Sequence, residues 1–295
     1  MHPEAAPRDA HPREILLGHG LRPRKGFGQN FLVAGADLDR VADAAELGPD
    51  DVALEVGTGL GHLTARLAAR AGFVVSVEVD RGLHRVASER LRGLGNVALL
   101  CADFLASKHR IAPEVTEAVR EALSRRPGPL KVVSNLPYNI SSPAVVNLLE
   151  WELPVSAMWL TVQKEVAERL TAAPGTAQYG PLTVVVDYWA TVQPVFRLPP
   201  QAFWPMPEVS SVLVAVARRP ERVRTEGYEA FTKAVRRLFG GRRKTLGTLV
   251  RAGWGASAVD AVRDGLGLDL RARPQTLTTA QFEAIARTIG PPAQP

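Results

Sequence analysis

Val52-Ala53-Leu54-Glu55-Val56-Gly57-Thr58-Gly59-Leu60-Gly61 joins a five-residue β-type run to a glycine-rich turn, and a helical stretch follows from about His62 to Arg70. An aliphatic run that ends in glycines and enters a helix reads as the first strand–turn–helix unit of an open parallel sheet. The pattern recurs downstream. Phe73 to Val79 is a strand with Glu78 and Asp80 at its carboxyl end, Val97 to Cys101 runs into Ala102-Asp103, and Leu130 to Ser134 runs into Asn135-Leu136-Pro137-Tyr138. Ligands of such sheets bind outside the carboxyl ends of the strands. Gly57, Glu78, Asp103 and Asn135 are therefore expected around one crevice.

Further along, Ala157 to Val162, Val192 to Leu198 and Val209 to Ala217 read as strands, the last two as an antiparallel pair, which brings the sheet to about seven strands. Residues 106–129 form a polar stretch with a helix near Pro113 to Ser124, and Ser142-Pro143 opens another helix. After Arg218 only helical patterns remain, near 228–239, 243–251, 256–266 and 279–288. The order predicts a flexible tail over residues 1–20, an α/β catalytic domain over 21–220 and a small all-α domain over 221–295. No internal repeat appears at solenoid periods.

Charge follows the same division. The chain carries 36 Lys+Arg against 30 Asp+Glu, yet residues 218–295 hold 15 basic and 7 acidic side chains, so the preceding 217 are slightly negative. A near-neutral front and a basic back suit an enzyme with an appended polyanion-binding module. Arg236, Arg237, Arg242, Arg243 and Lys244 are the densest basic cluster there and the RNA-contact candidates. The first 14 residues lack an apolar core of the signal-peptide kind, and no apolar run reaches the roughly 18 to 20 residues needed to span a bilayer. A soluble, cytoplasmic monomer is expected. The single cysteine, Cys101, ends an apolar run and is expected to be a buried thiol. The six histidines show no metal-ligand spacing, and no metal is expected.

Glycines at 57 and 59 let a ligand approach the turn, and Glu78, 21 residues beyond Gly57, stands where a carboxylate accepts from ribose hydroxyls. These features alone leave a nicotinamide cofactor open. Asn135 to Tyr138 separates the alternatives, because an amide, a rigid proline turn and an aromatic make a clamp for a planar amine. The Asn135 side-chain oxygen and the Leu136 carbonyl can each take one amino proton and aim the nitrogen lone pair at a methyl donor, while Tyr138 stacks on the base. A conjugated amine is a poor nucleophile, so orientation and proximity are the catalysis it needs. A base in folded nucleic acid must be turned out to reach such a pocket.

Lys25-Gly26-Phe27-Gly28-Gln29-Asn30-Phe31-Leu32, Glu55 to Gly59, Asn135 to Tyr138, Gln163-Lys164-Glu165-Val166, Phe203 to Val209, Arg242 to Thr245 and Gln275 to Thr278 occur in this order. Together they resemble the ribosomal RNA adenine dimethyltransferases, from about Gly20 to Thr288. The resemblance implies a Rossmann-like class I methyltransferase with S-adenosyl-L-methionine as cofactor. It implies that Asn30 and Leu32 close over the cofactor, Gly57 lines its methionine end, Glu78 holds the ribose, Asp103 contacts its base and Asn135 bridges cofactor and target. Tyr138 and Phe203 would sandwich a flipped adenine. The substrate implied is two adjacent adenines in the 3′-terminal hairpin of small-subunit ribosomal RNA, within a pre-ribosomal small subunit late in assembly. The chain departs from the family pattern at Thr58 and Met206, where prolines are usual, at Glu208 in place of lysine and at Pro181 in place of arginine. Other readings are a monomethylating or large-subunit enzyme, a DNA adenine enzyme, and an assembly or transcription factor on the same scaffold.

Overall fold

The computed structural model describes residues 10–292. It divides into two compact units, one formed by residues up to 167 together with 192–218, the other by 168–191 together with the residues from 219 onward.

The first unit opens with helix α1 (Pro12–Gly18), strand β1 (Phe31–Leu32) and helix α2 (Gly35–Ala44). Alternation of strand and helix then sets in: β2 (Val52–Val56), α3 (His62–Ala68), β3 (Phe73–Glu78), α4 (Arg81–Arg90) and β4 (Val97–Cys101). A small hairpin of β5 (Leu105–Ser107) and β6 (Arg110–Ile111) precedes α5 (Pro113–Arg125), β7 (Leu130–Asn135), α6 (Ser141–Leu149) and β8 (Val155–Gln163). Helix α7 (Lys164–Leu170) leads into the second unit, whose first complete helix is α8 (Pro181–Trp189). The chain returns through β9 (Ala190–Leu198), β10 (Phe203–Trp204) and β11 (Ser211–Arg218).

Seven strands form one sheet in the order β4-β3-β2-β7-β8-β11-β9. Strands β4, β3, β2, β7 and β8 are parallel to their neighbours and β11 runs antiparallel to β8, so the sheet is mostly parallel, as the sequence predicts. All five residues of β2 are buried, which is why this strand, Glu55 apart, reads as an aliphatic run without alternation. Leu38 and Val41 of α2, Leu63 and Leu67 of α3, and Val74 and Val133 of the sheet share one apolar cluster. Stretch 106–129 is ordered: Pro113 occupies the first turn of α5, and Val115, Val119 and Ala122 bury one stripe of it.

The second unit is helical. Besides α8 it holds α9 (Glu226–Phe239), α10 (Leu246–Trp254), α11 (Ala256–Asp260) and α12 (Thr279–Ile289). Its core is aromatic, with Tyr188 and Trp189 each 4.9 Å by ring centroids from Tyr228 and with Phe239 stacked on Phe282. Thr278 and Gln281 close the start of α12 with a reciprocal capping box.

Three expectations are corrected. Of the tail predicted to be flexible, residues 1–9 lie outside the described residues, but α1 is a helix whose Ile15 and Leu16 are buried against Phe31, Leu60 and Leu83. Cys101 is exposed, because β4 is the edge strand of the sheet and Cys101 is its last residue. Residues 164–191, where the sequence pattern marks no element, contain α7 and α8, and most of that segment lies in the helical unit. Val184-Val185-Val186 favours strand by propensity, and burial of Val184, Val186 and Trp189 overrides that preference.

Candidate active site

The turn after β2 hangs on β3, with Gly57 and Thr58 both donating backbone N–H bonds to the Val77 carbonyl at 2.8 and 3.2 Å. Gly57 adopts φ +89°, and a Cβ there would stand 3.0 Å from Cγ of Pro137. Glycine is thus required both by the backbone conformation and by the approach of the Pro137 ring. The turn and the segment after β7 form two walls of a cleft of about 240 Å³, lined also by Asn30, Glu78, Asp103, Leu136 and Tyr138.

Glu78 ends β3 with both carboxylate oxygens engaged, one by the Gly59 N–H at 2.8 Å and the other by the Asp80 N–H at 2.9 Å. Burial pushes its pKa up to about 7 despite these donors. Asp103 is exposed at the cleft edge and accepts from the Leu105 N–H at 3.1 Å.

The segment Gly26–Asn30 lies along the turn after β7. Asn135 Nδ2 donates to the Asn30 carbonyl at 2.9 Å, and Asn139 Nδ2 donates to the Gly26 carbonyl at 3.3 Å. A Cβ on Gly28 would meet the Tyr138 nitrogen at 3.0 Å. Asn135 Oδ1 is buried with no hydrogen-bond partner. A buried amide oxygen left unpaired costs on the order of 1–3 kcal/mol, which a ligand donor arriving in the cleft recovers. The Tyr138 hydroxyl lies 2.8 Å from that of Ser211, and burial raises its pKa.

Behind the turn sits a polar network foreign to the strand signal. Glu55, 1% exposed in the middle of the sheet, accepts through one oxygen from the hydroxyls of Thr64 at 2.5 Å and Ser76 at 2.6 Å. The Thr58 hydroxyl is 2.6 Å from that of Ser76, so Thr58 joins this network. Burial lifts the Glu55 pKa to about 8. Asp80 caps α4 and receives Gln29 Nε2 at 3.4 Å and Arg24 at 3.4 Å, which ties the N-terminal segment to the β3 end of the cleft. An Asp directly before a helical run was the available signal.

Two predicted residues stand elsewhere. Leu32 is buried in the apolar cluster with Leu38 and Val41, and Phe203, which pairs with it across β1 and β10, is 3% exposed in the same cluster. Neither lines the main cleft. Strand alternation turns the next side chain the other way, and Trp204 faces a wider trough of about 1040 Å³ that Tyr138 and the exposed Met206 also line. In the helical unit, Arg237 donates to the Ala252 carbonyl and Arg242 to the carbonyls of Ala177 and Tyr179, whereas the side chains of Arg236, Arg243 and Lys244 are exposed and make no ion pair among the described residues. His62 Nε2 lies 3.2 Å from the Ala10 carbonyl and is a packing residue. No cluster of three metal-ligating side chains occurs among the described residues, nor does any helix long and apolar enough to cross a membrane.

The profile of the ribosomal RNA adenine dimethylase family matches residues 20–289. A relative from Pelotomaculum thermopropionicum named ribosomal RNA small subunit methyltransferase A is 43% identical over 279 residues, 93% of this chain and 94% of that one. Among solved structures, a dimethyladenosine transferase from Plasmodium falciparum superposes with a TM-score of 0.72 at 22% identity over 87% of this chain and 97% of that one, a likeness of fold. The 23S rRNA methyltransferase ErmE superposes with a TM-score of 0.66 at 27% identity over 88% and 99%.

Proposed function

We propose that this chain, which belongs to the ribosomal RNA adenine dimethylase family, dimethylates the N6 amines of two adjacent adenines in the 3′-terminal hairpin of small-subunit ribosomal RNA. Membership makes it an S-adenosylmethionine-dependent RNA adenine methyltransferase of class I fold. The choice of the small subunit rests on the relative's name and on the resemblance of the motifs; action by a monomer on a late pre-ribosomal particle in the cytoplasm is part of the same proposal.

The residues present fit the cofactor. Glu78 offers a carboxylate for ribose hydroxyls, Asp103 stands at the cleft edge for the amino group of its base, and the Gly57 turn lines the same cleft. Asn30 and the buried Leu32 behind it close the N-terminal side. When bound, the cofactor supplies an electrophilic methyl group on a sulfonium centre.

The observation that carries the reading is the unpartnered Oδ1 of Asn135. Its Nδ2 is spent on Asn30, so the amide cannot rotate without losing that bond, and the free oxygen is held ready for an amino proton. With the Leu136 carbonyl taking the second proton, the nitrogen lone pair is left directed at the methyl donor, and Tyr138 stacks on the ring that carries it. Positioning of this kind replaces general-base activation. Phe203 supports the wall from behind, and an adenine sandwiched between Tyr138 and Phe203 requires β10 to shift. Residues 21–220, less the segment that joins the helical unit, are the catalytic part, and 221–295 the RNA-binding part, with Arg236, Arg243 and Lys244 facing phosphate and Arg237 and Arg242 bracing them.

Transfer of labelled methyl from S-adenosylmethionine to unmethylated small subunits, with the nucleoside identified, tests the reading. Dimethyladenosine is the expected product. Likeness to the 23S enzyme supports a second reading, a large-subunit target, for which label would enter large-subunit RNA instead.

A further inference from the structure

Outside the cleft, the β5–β6 hairpin carries three consecutive basic-type side chains at its tip, Lys108, His109 and Arg110. All three are exposed, and none of the side chains makes an ion pair or hydrogen bond among the described residues. The stretch up to residue 217 is net negative, so this is a local concentration of positive charge against the background.

The hairpin is anchored at the cleft at one end and on α6 at the other. It starts immediately after Asp103 and Phe104, which line the cleft, and the Asp103 carboxylate accepts the N–H of its first residue, Leu105. Leu105 pairs with Ile111 and Ser107 with Arg110, and the Ala112 N–H closes back on the Phe104 carbonyl at 3.0 Å. On the other side, Asn147 of α6 donates its side-chain amide to the Lys108 carbonyl at 3.0 Å. Helix α6 follows directly on the Asn135–Ile140 segment. A buried asparagine thus fixes the backbone beneath an exposed lysine.

Holding a hairpin tip in one conformation costs backbone entropy. Cations whose backbone is already ordered lose less of that freedom on binding. Duplex RNA presents its phosphates at regular spacing and is read mostly by shape and backbone. We infer that Lys108 and Arg110, with His109 between them, form a second phosphate-binding surface that grips the RNA stem beside the target adenine. The inference rests on the proposed RNA substrate and adds a contact within the catalytic unit, where Glu208 stands in place of the family's usual lysine.

The test compares full-length wild type with Lys108→Ala/Arg110→Ala for binding to unmethylated small subunits across a salt series, with S-adenosylmethionine affinity measured in parallel. Each lost phosphate contact lowers the slope of log affinity against log salt by about one. The double variant is expected to lose one to two units of slope, to bind roughly tenfold more weakly, and to raise KM for subunits far more than it lowers kcat. Lys108→Arg/Arg110→Lys should keep the wild-type slope. An unchanged slope in the double alanine variant, with wild type still methylating subunits, overturns the hairpin surface and leaves the substrate reading intact. A fall in S-adenosylmethionine affinity in the double variant also overturns it, since the hairpin would then prop the cleft. Wild type that methylates no ribosomal RNA sinks both readings.

Discussion

The Asn135 side chain donates to the backbone carbonyl of Asn30 across 105 residues of sequence, and that bond leaves its Oδ1 buried and unpartnered at the cleft. One hydrogen bond therefore joins the N-terminal segment to the proposed amine clamp and sets which atom of the amide faces the cleft. Asn135→Ala should lower kcat for methyl transfer by at least about a hundredfold, the scale of a lost orienting contact. Asn135→Asp should be as damaging although it keeps the acceptor, because it sets a carboxylate against the Asn30 carbonyl. Single-turnover transfer to unmethylated subunits reads both, and near-wild-type transfer in either variant would remove the clamp.

If Glu78 holds the cofactor ribose as proposed, cofactor binding is pH-dependent. With its pKa raised to about 7 by burial, it is largely protonated in the free protein at pH 6 and ionised at pH 8. Ribose hydroxyls donate to the ionised form, so binding favours deprotonation. S-adenosylmethionine affinity should weaken as pH falls below about 7, approaching tenfold per unit. In Glu78→Gln the affinity should be lower and its pH profile flat. Calorimetric titration at several pH values decides it.

Glu55 acts on stability instead. Its folded pKa of about 8 lies above the unfolded value, so the native state holds the extra proton between about pH 4.5 and 8. Stability contributed by the neutral form is complete below that window and is lost as pH rises through it, by up to about 1.4 kcal/mol per pH unit. Urea unfolding of wild type should show this decline, and Glu55→Gln should remove most of it. A parallel slope in both proteins would place the dependence elsewhere.

Phe203 and Trp204 separate packing from recognition. Phe203→Ala should cost about 3–5 kcal/mol of stability, as for a buried aromatic. Trp204→Ala should cost less and chiefly weaken RNA binding, since base stacking on an aromatic contributes roughly 1–3 kcal/mol. Tyr138→Phe keeps the ring and loses only the Ser211 contact, so it should retain more transfer activity than Tyr138→Ala. Thermal unfolding with subunit-binding measurements distinguishes these patterns.

Much of this architecture can be read from the chain because its parallel strands end in the residues that meet at the cleft. Val52–Val56, Val97–Cys101 and Leu130–Asn135 announce themselves by aliphatic runs, and Gly57, Glu78, Asp103 and Asn135 follow from where those runs stop. The orientation of Phe203 is not legible for a local reason. A two-residue strand turns neighbouring side chains to opposite faces, and only the pairing of Phe203 with Leu32 decides which one enters the core. The buried network around Glu55 is not legible from the Glu55–Gly59 motif, since its partners Thr64 and Ser76 come from separate elements. Helix α8 and the exposure of Cys101 depend on tertiary neighbours, the helical core in one case and an edge position in the other.

The strand order has a consequence for synthesis. Strand β11 lies between β8 and β9 although it is made last of the three. A nascent chain that has emerged only as far as β9 presents β8 with an unpaired edge bearing Leu160 and Val162, both buried in the finished protein. Protease sensitivity of ribosome-stalled chains should accordingly drop between lengths of about 210 and 220 residues exposed. Until Ser211–Arg218 leaves the exit tunnel, the growing enzyme holds an open β-edge, and translation speed over that short segment governs its exposure to misassembly.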